Sequence, residues 1–190
     1  MQLVRPLPEH LPAYVAALQR GWSADNIRGA AAAREQLESI ASDAAAFLAW
    51  MDDSEGRGPP IVMPDGSQRA RLPGLVRWMW DWDDQPGFAG SINLRWVKGG
   101  GPLPPYVLGH IGYAVVPWQQ RRGHATRALA AVLPLARAQQ QSFVELTTDE
   151  DNLPSQRVIT ANGGVLVEHF VKDAVYGGKP SLRFRIALKN

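Results

Sequence analysis

The chain has 190 residues, 45% hydrophobic and 20% charged, the size and balance of one domain with a continuous core. Its 20 Lys and Arg against 18 Asp and Glu leave a formal charge of +2, too small an excess to imply a nucleic-acid partner. Cysteine is absent, which excludes disulfide frameworks, thiolate metal sites and cysteine nucleophiles and agrees with a reducing compartment.

The opening MQLVRPLPEHLPAYVAAL places Pro6, Pro8 and Glu9 where a secretory leader needs an unbroken apolar run. No later stretch reaches about 18 apolar residues, so a cytoplasmic chain with no membrane segment is expected. Residues 9–19 read as a short helix and 30–51 as a longer one, with Leu37, Ile40, Ala44, Phe47, Leu48 and Met51 at helical spacing. Residues 52–73 are crowded with Gly, Pro, Asp and Ser, as in GRGPP and PDGS, and read as turns inserted within the domain.

Residues 75–82 and 88–97 have the aromatic and branched content of a strand pair around the turn DDQPG. Trp78, Trp80 and Trp82 alternate on the first of these, forming either a core layer or an aromatic substrate wall. After the loop KGGGPLPP, residues 107–116 read as a strand and 125–138 as a helix, with a bend expected at Pro134 because proline removes a helical hydrogen bond. A strand at 143–148, a short helix at 154–161 and a strand at 165–171 follow. Leu182, Phe184, Ile186 and Leu188 then alternate as a last strand that closes the sheet. The order predicts a single domain over residues 1–190, a mixed α/β sheet flanked by helices, without internal repeats.

The segment Val115-Val116-Pro117-Trp118-Gln119-Gln120-Arg121-Arg122-Gly123-His124-Ala125 joins an apolar strand to an amphipathic helix. The first turn of a helix has unpaired N–H groups and a partial positive charge, and Gly123 and Ala125 let an anion approach that backbone closely. Arg121 and Arg122 either add charge-assisted donors or are solvated surface groups. Ala125, Leu129, Val132, Leu133 and Ala136 form a core-facing stripe that would fix the helix against the sheet.

This segment resembles the Gln/Arg-x-x-Gly-x-Gly/Ala signature of the GNAT superfamily of N-acetyltransferases, met here by Gln120, Gly123 and Ala125. Val115 and Pro117 match the turn before it, and Asp151-Asn152-Leu153-Pro154-Ser155 opens a second helix ending in Asn162-Gly163-Gly164, so the likeness spans residues 107–170. Gly109-His110-Ile111-Gly112-Tyr113 is similar to the subgroup with an acidic or polar residue before Ile-Gly-Tyr; the N-terminal third matches only in outline.

The resemblance implies a mostly antiparallel central sheet, splayed between the strand at 107–116 and that at 143–148, with the pantetheine arm of acetyl-CoA in the gap. Backbone near Val115 and Val116 would hold that arm, with Asn152 and Ser155 beside it. Gln120, the amides of Arg121, Arg122, Gly123, His124 and Ala125, and the Thr126 hydroxyl would receive the diphosphate. Asn152 equally suits a helix N-cap, and the His124 side chain either binds an anion or faces solvent. The partners implied are acetyl-CoA and an amine acceptor, with no metal, nucleic acid or membrane, in a monomer or homodimer.

Direct acetyl transfer to an amine needs a proton acceptor and donors for the oxyanion. His110 is the preferred base, since Gly112, Ala114 and Val116 on its strand face leave room for a ligand and its ordinary pKa of about 6.5 suits the task. A structural histidine is the other reading, since related GNAT enzymes often hold a glutamate there. Many GNAT enzymes take the general acid from a tyrosine that here corresponds to the neighbourhood of Ile159; Tyr113, expected in the core, and Tyr176 are substitutes, or the thiolate leaves unaided. Glu145, Asp149, Glu150 and Asp151 either attract a cationic amine or are solvated surface acids. A catalytically silent acyl-CoA-binding or interaction module is the alternative to an N-acetyltransferase.

Overall fold

The computed structural model of the chain describes residues 1–62, 66–82 and 87–188. In chain order the elements are β1 (Gln2–Val4), α1 (Leu11–Gln19), α2 (Ala30–Ala49), β2 (Asp52–Asp53), β3 (Ile61–Val62), β4 (Gln68–Arg69), β5 (Gly74–Asp81), β6 (Gly87–Arg95), β7 (Ile111–Val115), α3 (His124–Ala138), β8 (Phe143–Asp149), α4 (Leu153–Thr160), β9 (Val165–Val171) and β10 (Pro180–Ala187). The expected turn at 83–87 lies, apart from Gly87, outside the described residues, as does part of PDGS.

One antiparallel sheet runs β1-β5-β6-β7 with β2 added to β5, and a second runs β8-β10-β9. The sheet is therefore open between β7 and β8, where the splay was expected. β1 and β2, of three and two residues, are too short to display a period-two pattern. The last strand does not close the sheet: β10 is inserted between β8 and β9 and is bonded on both sides. The predicted long second helix restarts at Asp43, whose backbone leaves the helical region and whose carboxylate accepts from the Ala46 N–H. Helix α3 continues through Pro134 to Ala138.

Apolar faces pack on both sides of the larger sheet. Met79, Ile92, Leu94 and Ile111 meet Leu129 and Val132 of α3, continuous with Val144, Leu146 and Phe184 of the smaller sheet. On the opposite face Tyr14, Leu18 and Trp22 pack on Trp78, Trp80 and Phe88. Tyr14 stacks on Trp78 at 4.3 Å between ring centroids, and Phe88 meets Trp22 edge-on at 5.0 Å, contacts worth about 0.5–1.5 kcal/mol each beyond area burial. Trp78 and Trp80 are thus core, while Trp82, just past the end of β5, is exposed. This aromatic layer fixes α1 and the start of the segment after it, which reaches the cavity described next.

Candidate active site

The two sheets touch where the chain enters β7. The His110 N–H donates to the Glu145 carbonyl at 2.7 Å, and the Glu145 N–H returns a bond to His110 Nδ1 at 3.0 Å. Gly109 makes this approach feasible, since a Cβ there would stand 2.9 Å from the Glu145 carbonyl oxygen. Arg185 and Arg183 hold the Glu145 carboxylate, and Arg183 also donates to the Leu108 carbonyl at 3.0 Å. Beyond this joint β7 and β8 share no ladder, and a cavity of about 1020 Å³ opens between residues 111–115 and 146–149.

The cavity's far end is the turn into α3. Gly123 takes φ 76°, a left-handed conformation suited to glycine, as the residue before the helix. The first helical bond runs from the Arg127 N–H to the Gly123 carbonyl, so the N–H groups of His124, Ala125 and Thr126 precede the ladder and have no partner within it. Val115, Gln120, Arg121, Gly123, His124 and Ala125 line the cavity, as do Thr126, Asn152 and Ser155.

Three expected site residues stand elsewhere. His110 is not part of the lining; it is 1% exposed, Nδ1 is occupied, and Nε2 has no partner among the described residues. Burial, reinforced by Arg95, Arg185 and Arg183 against the pull of Glu145, takes its pKa down to about 4. Val116 is fully buried and its N–H already donates to the Ala89 carbonyl. The Arg122 guanidinium turns to the Gln119 side chain and to Asp81, 3.6 Å away.

Asp81, unremarked in the sequence, is the anchor beneath this turn. It is 1% exposed, 3.6 Å from His124 Nε2 and 3.5 Å from the Met1 amino group. Burial pushes its carboxyl up, but His124, the amino group and Arg122 outweigh that and hold it below the usual range. Burial lowers the His124 pKa, against the opposing pull of Asp81. Because Arg127 approaches Nδ1 at 3.1 Å, the His124 proton is assigned to Nε2, facing Asp81. The His124 ring is buried beside Asp81 under the helix start, at a separation beyond hydrogen-bond range.

A helix start with free amides, facing a gap between two strands, fits a diphosphate-bearing ligand with an extended arm. The family model for the acetyltransferase (GNAT) domain matches residues 3–165. The chain belongs to the GNAT acetyltransferase family. No curated protein matches it in sequence. Among solved structures, the ribosomal-protein alpha-N-acetyltransferase RimL in complex with coenzyme A superposes with a TM-score of 0.62 at 12% identity, over 98% of this chain and 93% of that one. A chimera of the spermidine N-acetyltransferase SpeG from Vibrio cholerae and hSSAT gives 0.58 at 11% identity, over 99% and 97%. The microcin self-immunity acetyltransferase MccE, in complex with acetyl-CoA and AMP, gives 0.55 at 12%, over 97% and 91%. At these identities the likeness is one of fold.

In this GNAT acetyltransferase several other polar groups at the cavity are hydrogen-bonded or ion-paired. The Tyr113 hydroxyl lies 2.8 Å from Ser155 Oγ, and burial raises its pKa although Ser155 opposes the shift. Tyr113 was expected in the core; it packs there with its ring and reaches the cavity with its hydroxyl. Asn152 accepts from the Ser155 N–H at 3.2 Å as the cap of α4. Ile159 is buried. The Tyr176 hydroxyl donates to the Tyr106 carbonyl at 2.7 Å. Asp149 is paired with Lys172 and, at 3.5 Å, with Lys179. Among the described residues no group of three or more His, Asp or Glu could hold a metal ion, and no helix is long and apolar enough to cross a membrane.

Proposed function

We propose that this GNAT enzyme transfers the acetyl group of acetyl-CoA to a primary amine by direct attack. The observation that carries the reading is the opening of two features into one cavity: the unpaired amides at the start of α3 and the unladdered gap between β7 and β8. The amides suit a diphosphate. The facing strand edges suit a pantetheine arm, whose amides bond to backbone groups as an added strand does. Val115, Asn152 and Ser155 would lie along that arm, and Gln120, Arg121, Gly123, Ala125 and Thr126 around the diphosphate.

The amine nitrogen attacks the thioester carbonyl, the new C–N bond forms, and the C–S bond breaks to release a thiolate. Tyr113, kept protonated by burial, is the donor we assign to that thiolate. Asp149, the carboxylate of the cavity lining, is held ionised by Lys172 and Lys179 and is a weak base. With His110 in the joint, the amine reaches the thioester as its free base and loses its second proton to solvent. Turnover then rises with pH through the acceptor's own pKa.

Calorimetry with acetyl-CoA, followed by mass detection of acetylated products and thiol release across an amine panel, tests the reading. Binding together with acetylated amine is the expected result. Binding without any product would favour a catalytically silent acyl-CoA-binding module.

A further inference from the structure

We propose that the amine acceptor carries a carboxylate, received by Arg95 and Asn93 on the sheet face opposite α3. The inference rests on the transferase reading above and adds the class of acceptor.

Alternation along β6 puts Ser91, Asn93 and Arg95 on one face, and the ladder sets Asn93 opposite Gly112 of β7. Gly112 lines the cavity, and a Cβ on it would stand 3.2 Å from Asn93 Nδ2 and 3.6 Å from Arg95 Nη2. Neither head is itself part of the cavity wall. Only the bare Gly112 backbone stands between them and the cavity at the β7 edge, and the absence of a methyl group there leaves the approach to both open. Arg95 Nη2 donates to Asn93 Oδ1 at 2.6 Å, which orients the fork and leaves further N–H donors for a ligand.

Arg95 has no carboxylate partner among the described residues, and acids elsewhere in the two sheets are paired with other cations. Asp52 pairs with Arg5 and Arg77, Glu145 with Arg183 and Arg185, and Asp149 with Lys172 and Lys179. Burial pulls the Arg95 pKa below its ordinary value; a desolvated cation without a counter-ion is costly, and a ligand anion offsets that cost.

The charge around it has the same sign. The lining contains Arg121, Lys172 and Lys179 against Asp149. Arg121 belongs to the diphosphate end. Lys172 and Lys179 flank Tyr176, which is within electrostatic range of Arg95, and share one carboxylate. This surplus repels a polycation and attracts a carboxylate. The same field disfavours the ammonium form of the acceptor and so promotes the neutral amine that attacks.

A free amino acid and a peptide whose first residue is Asp or Glu present the same chemistry. The test therefore assays the full chain with acetyl-CoA against four sets: amino acids, their carboxamides, acidic-start peptides and spermidine. One of the two carboxylate sets should exceed the carboxamides in kcat/KM by about tenfold or more, the scale of a charge-assisted contact. Arg95→Gln should erase that preference by raising the acceptor KM while leaving the acetyl-CoA KM within about twofold. Should that variant fail to fold, Asn93→Ala and the unaltered chain's preference decide. Equal rates across the sets, or preference for spermidine, would overturn the carboxylate and leave the transferase reading intact. Acetyl-CoA binding with no amine acetylated would overturn both.

Discussion

The two ends of the cavity are built from different material. At the α3 end the groups outside the helix ladder are the main-chain amides of His124, Ala125 and Thr126, supplied by consecutive residues, with Asp81 buried beside the His124 ring. At the other end the lining is made by side chains, Trp22 from beyond α1 and Lys172 and Lys179 from the β9–β10 connection, with Asn93 and Arg95 of β6 directly behind Gly112. A cradle of amides is indifferent to side-chain identity provided the side chains are small. A pocket of guanidinium, carboxamide and indole depends on identity throughout. Grip on a shared cofactor and choice of acceptor can therefore change independently, one through backbone conformation and the other through single substitutions.

The largest expected break in that contrast is Gly123→Glu. A Cβ at this position would stand 3.2 Å from Arg127 Nη1, at a φ that side chains rarely adopt, and the added carboxylate would face the site meant for an anion. Acetyl-CoA affinity measured by calorimetry should fall by about 100-fold or more, from strain and like-charge repulsion combined. Retained affinity would mean that the amides of this turn are not the cofactor's grip.

The same contrast governs what could be read before any coordinates. The turn at 117–126 was legible because each requirement, a strand end, a small residue and an amphipathic helix, lies within a few residues of the next. So were β5, β6, α3 and β9, whose patterns are long. The central place of β10 was not, because alternation reveals one buried face and says nothing about which neighbours are paired. His110 was assigned to the cavity from alternation along its own strand, while the partner that takes its Nδ1, Glu145, is 35 positions away. The Arg122 and His124 side chains were each left between an anion contact and a solvated surface, and neither reading includes Asp81, which faces both from another strand. That Arg95 has no carboxylate partner among the described residues is likewise a tertiary fact, since alternation along β6 gives its face and not its neighbours.

A second, intermediate test separates the joint from the chemistry. With a native pKa of about 4 against an ordinary value near 6.5, His110 stays neutral in the folded chain while the unfolded chain takes up a proton in that window. The unfolding free energy should therefore drop as pH falls from about 6.5 to 4, with up to about 3 kcal/mol traceable to this residue. His110→Gln, which keeps an acceptor for the Glu145 N–H, should flatten that limb in urea unfolding at pH 7 and 4.5. Its turnover at pH 7.5 should stay within about threefold of the parent, whereas loss of a general base would cost about 100-fold or more.

The smallest effect is expected at Tyr113, which stands between the two ends. Tyr113→Phe removes the hydroxyl that meets Ser155 Oγ and keeps the ring that packs on the α3 side of the sheet. A thiol with a pKa near 8.5 is already a fair leaving group, so a proton donor adds little, and kcat should fall by only about tenfold, well short of the usual gain from acid catalysis. Affinity for acetyl-CoA should hold, and the deficit should shrink with an acyl donor whose thiol is more acidic, because such a thiolate needs no proton to depart. An undiminished kcat would assign the Tyr113–Ser155 contact to the docking of α4 alone and leave departure of the thiolate to its own stability.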